Sequence, residues 1–368
     1  MLEVPFWQVN LGSEAETRVL EIVRNRQFSM GKETAKMEDK VSDLLNVKRT
    51  IGVTSGSDAI LMSLIALGVG PGKKILLQDR SWVAAANALG ILGAKIILVD
   101  VEANSNKLNL DDLERKHEEG VMGVIVVQMN GGAPDMNRLS KFCSQKGIFL
   151  LEDSAQAIGS QQNGKYLGTF GNTGCFSLSM TKIVASGQGG FIVTNDDLLA
   201  NRMEKIRLHG NKEVFAPDWD ELGFNFRLTD LHAAIANTQL DKLEERKNLQ
   251  KMIFLHYSNT LSNIEIGKLL HVDFESGQLG PYIEFILNEK ICRKELISFC
   301  ANVGIEVRPF YPSLIHTKHY LDVSGFTPEA IQLSETGVYL PAGPAILEQQ
   351  IYRVCEALYS FEKQTNCK

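Results

Sequence analysis

Between about residue 50 and residue 195, short apolar runs alternate with helical stretches, and most of the runs are continuous in Val, Ile and Leu. The strand candidates are Ile75–Gln78, Ile96–Val99, Val124–Gln128, Ile148–Leu151, Cys175–Leu178 and Gly190–Thr194. An uninterrupted apolar run offers no polar face to water. Such strands must be covered on both sides, as in a largely parallel sheet flanked by helices. Helix candidates fall between them: Asp58–Ala66 after a Ser-Gly-Ser turn, Val83–Leu92, and Met136–Lys146 after Pro134. The alternation predicts an α/β domain.

At 368 residues the chain is longer than one compact core supports, so a second domain is expected. The segment from Asp230 to about Tyr257 reads as one long helix, with apolar Leu231, Ala234, Ile235 and Leu243 and a charged end, EERKNLQK, suited to bridging domains. Beyond it, a strand near Tyr282–Leu287, a helix near Arg293–Val303 and a closing helix near Leu347–Phe361 predict a smaller α+β domain. The division expected is residues 1–240 for the large domain, with an N-terminal arm, and residues 241–368 for the small one.

Composition narrows the function classes. A net charge of −6, from 38 basic and 44 acidic residues, supplies no basic stripe for nucleic acid. No apolar run approaches the roughly 20 residues of a membrane span. The opening MLEVPFWQVNLGSEAE lacks the basic segment, apolar core and cleavage site of a signal peptide. Six cysteines, at 143, 175, 292, 300, 355 and 367, form no CxxC pair, so neither a metal site nor a disulfide framework is expected. Reduced thiols in a cytoplasmic protein are the plain expectation.

Four features fall where open α/β sheets gather ligands, at the carboxyl ends of strands. Thr54–Ala59, TSGSDA, is a small-residue turn opening a helix, whose backbone N–H groups suit a phosphate as well as an ordinary cap. In LLEDSAQAIG a buried strand runs straight into Glu152 and Asp153, and a carboxylate there needs a partner. In FSLSMTKIVASGQGG, Ser177 and Ser179 share one face of a strand just ahead of Lys182, and Gly187, Gly189 and Gly190 allow a close return. Asn225 lies between two Phe residues just before the long helical pattern. An anion cradle, a carboxylate and a lysine are together what pyridoxal phosphate requires: a phosphate site, a partner for the pyridinium nitrogen and an amine for the Schiff base.

The sequence resembles the pyridoxal-phosphate sugar aminotransferases of the DegT/DnrJ/EryC1/StrS family over almost its whole length. The matching segments include GSDAI (Gly56–Ile60), SWVAAANALGILGAKIILVDV (Ser81–Val101), EDSAQAIGS (Glu152–Ser160), LGTFGNTGCFSLSMTK (Leu167–Lys182), GQGGFIVTN (Gly187–Asn195), GFNFRLTDLHAAIANTQL (Gly223–Leu240) and GIEVRPFYPSLIHTKHY (Gly304–Tyr320). The resemblance implies the aspartate-aminotransferase-like fold type I. It also implies pyridoxal 5′-phosphate as cofactor, held by Lys182 as an internal aldimine, with Lys182 then serving as the proton carrier. Asp153 would pair with the pyridinium nitrogen, Gln156 would bond the phenolic oxygen, and Trp82 would stack on the ring. Gly56, Ser57, Asp58 and Ser177 would bind the phosphate. Asn225 would reach the phosphate of a neighbouring subunit, because family sites are completed across a homodimer.

The implied reaction carries an amino group from L-glutamate to a keto group of a nucleotide-linked deoxysugar, in two halves that release 2-oxoglutarate. RPFYPSLIH resembles a segment of the perosamine-type 4-aminotransferases of that family, which points to C4 of a 4-keto-6-deoxy sugar and to Arg308, Phe310 and His316 as substrate contacts. Two segments depart from the family pattern. QDRSW (Gln78–Trp82) stands where many relatives have Pro-x-aromatic-Thr-aromatic, and QMNG (Gln128–Gly131) where many have His-x-Tyr-Gly. The alternatives are a 3-keto sugar aminotransferase, a non-catalytic cofactor-binding regulator, and an aldolase or desulfurase on the same fold. The retained Lys182 argues against the family's dehydratase branch, in which a His replaces it.

Overall fold

A computed structural model describes residues 3–213, 219, 221–318 and 323–366. Two helices, α1 (Ser13–Asn25) and α2 (Lys32–Leu45), precede the alternating region. That region runs β1 (Arg49–Val53), α3 (Gly56–Ala66), β2 (Lys74–Gln78), α4 (Ala84–Ile91), β3 (Lys95–Val99), α5 (Leu110–Lys116) and β4 (Val121–Val127). It continues through α6 (Met136–Lys146), β5 (Phe149–Asp153), the small hairpin β6 (Gln161–Gln162) and β7 (Lys165–Tyr166), β8 (Thr173–Ser177), β9 (Gly190–Thr194) and α7 (Asp197–Arg207).

Then come α8 (Asp230–Leu240) and α9 (Leu243–Thr260), followed by β10 (Gly267–Leu269), β11 (Ile283–Leu287) and α10 (Arg293–Asn302). The chain closes with β12 (Arg308–Pro309), β13 (Val323–Ser324), α11 (Pro328–Thr336), β14 (Gly337–Leu340) and α12 (Glu348–Asn366).

The large sheet has eight strands in the order β1-β9-β8-β5-β4-β2-β3-β13. The five strands β8, β5, β4, β2 and β3 are mutually parallel, and β9 alone runs against its neighbours β1 and β8. This is the α/β architecture expected. The central strands are buried on both faces because helices cover both. Ile51, Ile75, Leu77, Ile125 and Leu151 pack towards α3 and α4, whereas Leu76, Val124, Val126 and Leu150 pack towards Met136, Leu139 and Cys143 of α6. A second sheet, β10-β11-β14-β12, is antiparallel and packs with α9, α10 and α12.

The long helical pattern from Asp230 to Tyr257 does not form one helix. It breaks after Leu240, and α9 starts at Leu243. The two pieces serve different cores: Ala233 and Ala236 of α8 pack beside Met37 and Val41, whereas Ile253, Phe254 and Tyr257 of α9 pack in the core of the second sheet. A straight rod cannot present its buried stripe to both. The buried guanidinium of Arg246 ties the corner, donating to Gln239 and to the carbonyl oxygens of Ile183 and Asn10.

Chain ends and sheets are interleaved. Val4 bridges to Ile305 and Trp7 to Ala342, while the distant Val323–Ser324 adds an edge strand beside β3. Among the described residues no helix is long and apolar enough to cross a membrane, and the five described cysteines are free thiols.

Candidate active site

A cavity of about 370 Å³ opens at the carboxyl ends of β1, β2, β4, β5 and β8. Asp153, the last residue of β5, is buried in its floor, with its Oδ1 accepting from the Ala155 N–H at 3.1 Å. Burial raises the Asp153 carboxyl above the ordinary range, and the nearby Lys182 ammonium pulls it back down. Its neighbour Glu152 points to the opposite side of the strand. There it accepts from the N–H groups of Gly168, Phe170 and Gly171 and from the Gln128 amide, which makes it a structural carboxylate.

Lys182 projects into the same cavity. Burial lowers its amine below the usual lysine range, against the pull of Tyr311 and Asp153. Its Nζ lies 3.5 Å from the Tyr282 Oη, which donates to the Thr181 carbonyl at 3.0 Å. Burial pushes the Tyr282 phenol up to about 12, so it stays protonated and can donate one hydrogen bond while accepting another.

The cradle beside them is built by close backbone approach. Ser55 caps α3, its Oγ accepting from Asp58 N–H at 3.0 Å. That leaves the N–H groups of Gly56 and Ser57 as the open donors of the first turn, aimed into the cavity at the positive end of the helix. A Cβ on Gly56 would sit 2.8 Å from Ser177 Cβ, and one on Gly190 would sit 2.6 Å from the Ser55 carbonyl carbon. Glycine at both positions lets β8, β9 and the α3 turn meet. The Asp58 side chain faces back into its own turn, accepting from the Thr54 and Ser55 hydroxyls at 2.7 Å each. Its part in the cradle is thus to brace the turn.

Of the residues expected from sequence, Gly56, Ser57, Trp82, Asp153, Gln156, Ser177, Lys182 and Arg308 line this one cavity. The Gln156 Oε1 accepts from Asn130 N–H at 2.8 Å, leaving its Nε2 donors for the cavity. Trp82 stands half-exposed at the mouth with its ring edge-on to Tyr311, 4.8 Å between centroids. Arg308 sits at the rim, paired with Glu306 and 4.5 Å from the Phe6 ring.

Besides Asp58, three expected residues lie outside the lining. Phe310 is buried behind the wall, its ring taken up by the Arg80 guanidinium at 4.1 Å and by Tyr339 at 4.6 Å. His316 is exposed on the short Leu314–His316 turn, outside the cavity lining. Asn225 is exposed in the loop before α8, bonded to Arg227 and not facing its own chain's cavity.

Phe6, Tyr282, Tyr311 and Tyr339 also line the site; Tyr311 falls within the RPFYPSLIH segment, whereas no local pattern marks the other three. Each comes from a segment far from Lys182 in sequence, and only the packing of the second sheet and the N-terminal arm against the first brings them in.

The donor set fits pyridoxal phosphate: an anion cradle at a helix start, a buried carboxylate and a buried amine share one cavity. Comparisons with known proteins agree. The chain is 30% identical over 346 residues to the GDP-perosamine synthase of Vibrio cholerae, covering 90% of this chain and 92% of that one. It is also 30% identical over 351 residues to a Geobacillus stearothermophilus protein named pleiotropic regulatory protein, covering 94% and 93%. The fold matches that of the Helicobacter pylori aminotransferase involved in pseudoaminic acid biosynthesis, with a TM-score of 0.92 at 22% identity, over 98% of this chain and all of that one. The profile of the DegT/DnrJ/EryC1/StrS aminotransferase family matches residues 9–359, and the chain belongs to that family.

Proposed function

We propose that this aminotransferase takes the amino group of L-glutamate and delivers it to C4 of a nucleotide-linked 4-keto-6-deoxy sugar in two half-reactions. The observation that carries this reading is the convergence of Lys182, Asp153 and the open N–H groups of α3 on one cavity. The cofactor is pyridoxal 5′-phosphate, which supplies an electron sink and holds the amino group between the half-reactions.

The chain's own residues do the rest. The Gly56 and Ser57 N–H groups and the Ser177 hydroxyl hold the phosphate. Asp153, kept in place by Ala155, faces the pyridinium nitrogen as its counter-charge. The Gln156 Nε2 donates to the ring oxygen, and Trp82 covers the mouth. Lys182, whose burial favours the neutral amine, would hold the cofactor through Nζ and, once released, would take up or return the proton at the substrate carbon that loses or gains the nitrogen in each half-reaction. Asn225, turned away from its own cavity, completes the site of a second subunit in a homodimer working in the cytoplasm. Arg308 and the aromatic rim face the sugar nucleotide.

The Vibrio relative's name, GDP-perosamine synthase, supports a GDP-linked sugar, and the RPFYPSLIH segment carries the choice of C4. The test is a panel of GDP-, UDP- and dTDP-linked 4-keto and 3-keto sugars, each assayed for aminated product with glutamate as donor. Product from the 4-keto substrates is expected, whereas product from 3-keto substrates alone would reassign the position. Purified protein is expected to be yellow and to be bleached by glutamate. The regulatory name of the Geobacillus relative makes this a useful control: a spectrum that no amino donor changes would favour a non-catalytic binder.

A further inference from the structure

QDRSW and QMNG, the segments where the sequence leaves its family's pattern, meet on one buried carboxylate, Glu284 of β11. Arg80 from the first segment donates through Nη2 to Glu284 Oε1 at 3.3 Å. Asn130 from the second donates through Nδ2 to Glu284 Oε2 at 2.9 Å, and Asn106 donates to the same oxygen. Arg80 and Glu284 side chains are each only 1% exposed. The guanidinium is further fixed by Asn106 Oδ1 at 3.1 Å, by the Tyr339 hydroxyl at 3.1 Å and by the Phe310 ring beneath it.

Asn130 spends every polar group it has. Besides Glu284, its Nδ2 donates to the Tyr282 carbonyl at 3.0 Å, and its Oδ1 accepts from Tyr282 N–H at 2.7 Å. Its N–H donates to Gln156 Oε1, and its carbonyl accepts from Gln278. The residue sits at φ 51, a left-handed conformation that Asn tolerates better than most. One residue thus links Tyr282, the neighbour of Lys182, through its side chain to Gln156 through its backbone N–H.

We propose that Glu284, neutralised by Arg80, is a positioning residue: it locks Asn130, and Asn130 sets Gln156 and Tyr282 at the cofactor. The inference rests on the reading that Gln156 and Tyr282 flank pyridoxal phosphate. A buried charge pair is poor evidence for stability, since apolar replacements of similar size often stabilise as well or better. Its value here lies in where it aims the Asn130 amide.

The experiment compares Asn130→Gly, Glu284→Gln and the double variant Arg80→Met/Glu284→Leu with the unmodified protein. Each is stripped of cofactor, titrated with pyridoxal phosphate, and followed by visible absorbance and induced circular dichroism, with thermal unfolding in parallel. Asn130→Gly keeps the backbone conformation and the N–H to Gln156 while removing the side-chain link. Cofactor affinity about tenfold weaker and an altered dichroic band are expected for it and for Glu284→Gln. The double variant is expected to melt no lower than the unmodified protein and yet to show the same altered band.

A double variant matching the unmodified protein in both affinity and dichroism would overturn the inference, as would a folded Asn130→Gly that does so. Should Asn130→Gly not fold, the other two variants decide. Failure of the underlying reading looks different: the unmodified protein itself would then show no Lys182-dependent visible band with the cofactor.

Discussion

The Lys182 amine stands 3.5 Å from the Tyr282 phenol, whose own proton is directed to the Thr181 carbonyl. The two residues are 100 positions apart, Lys182 in the loop between β8 and β9 and Tyr282 immediately before β11 of the second sheet. A phenol in that orientation accepts from the lysine, so it steadies the amine inside the cavity that both residues line.

Tyr282→Phe removes that acceptor and keeps the ring, which packs against Phe6, Trp7 and Tyr339. The expected outcome is unchanged folding and retained cofactor, with glutamate bleaching slowed about tenfold or more. Stopped-flow absorbance checks it. An unchanged bleaching rate would mean that Tyr282 serves only as packing.

Gly190→Ala tests the cradle. The added Cβ meets the Phe176 carbonyl oxygen at 2.6 Å and the Gly56 nitrogen at 2.7 Å, both backbone atoms that cannot swing aside. Destabilisation of about 1–3 kcal/mol is expected, together with weaker cofactor binding because the α3 turn is pushed away from β8. Gly187→Ala is the comparison. It meets nothing closer than His232 Cδ2 at 3.9 Å, and its cost, about 1–2 kcal/mol, comes from φ 90 alone. Denaturant unfolding and cofactor titration of both variants separate the two effects: only Gly190→Ala is expected to lose affinity.

Burial of Lys182 gives a pH prediction for the cofactor-free protein. The folded-state value lies below the ordinary 10.5, so the folded chain binds fewer protons here than the unfolded chain. Burying the amine therefore costs stability in full below the folded value. The cost shrinks as pH rises through the window up to 10.5 and vanishes above it. Lys182→Met removes the cost. The variant is expected to melt above the unmodified cofactor-free protein near neutral pH, with the gap narrowing towards pH 10.5. A gap that widens with pH would show the amine to be stabilised rather than strained by its surroundings.

The parallel sheet was legible because its strands are dry on both faces and therefore spell continuous Val/Ile/Leu runs. Lys182, Asp153 and Gly56 were legible because each sits at a strand end or turn, where a polar or small residue interrupts an apolar run. Tyr282, Tyr339 and Phe6 were not, since an aromatic residue in a strand or arm looks the same whether it fills a core or walls a cavity. The break at Asp241–Lys242 was hidden for a related reason. No Gly or Pro marks it, and the bend follows from two cores pulling on one amphipathic stripe. Arg80 and Asn130 showed only as departures from a pattern, and their common partner Glu284 lies more than 150 residues downstream.

Asn225 tests whether the site belongs to one chain or two. It is exposed, faces away from its own cavity and is held by Arg227 in the loop before α8. If it serves the neighbouring subunit, Asn225→Ala and Lys182→Ala homodimers are both impaired, but for different sites. In a mixed dimer, one cavity then collects both defects and the other has none. Random reassortment of the two variants is therefore expected to leave about a quarter of all sites intact and to recover activity that neither variant shows alone. If Asn225 acted on its own chain's cavity, every cavity in the mixture would carry one defect, and mixing would recover nothing. Unfolding and refolding the two variants together, against each refolded alone, distinguishes the arrangements by activity with the keto sugar nucleotide.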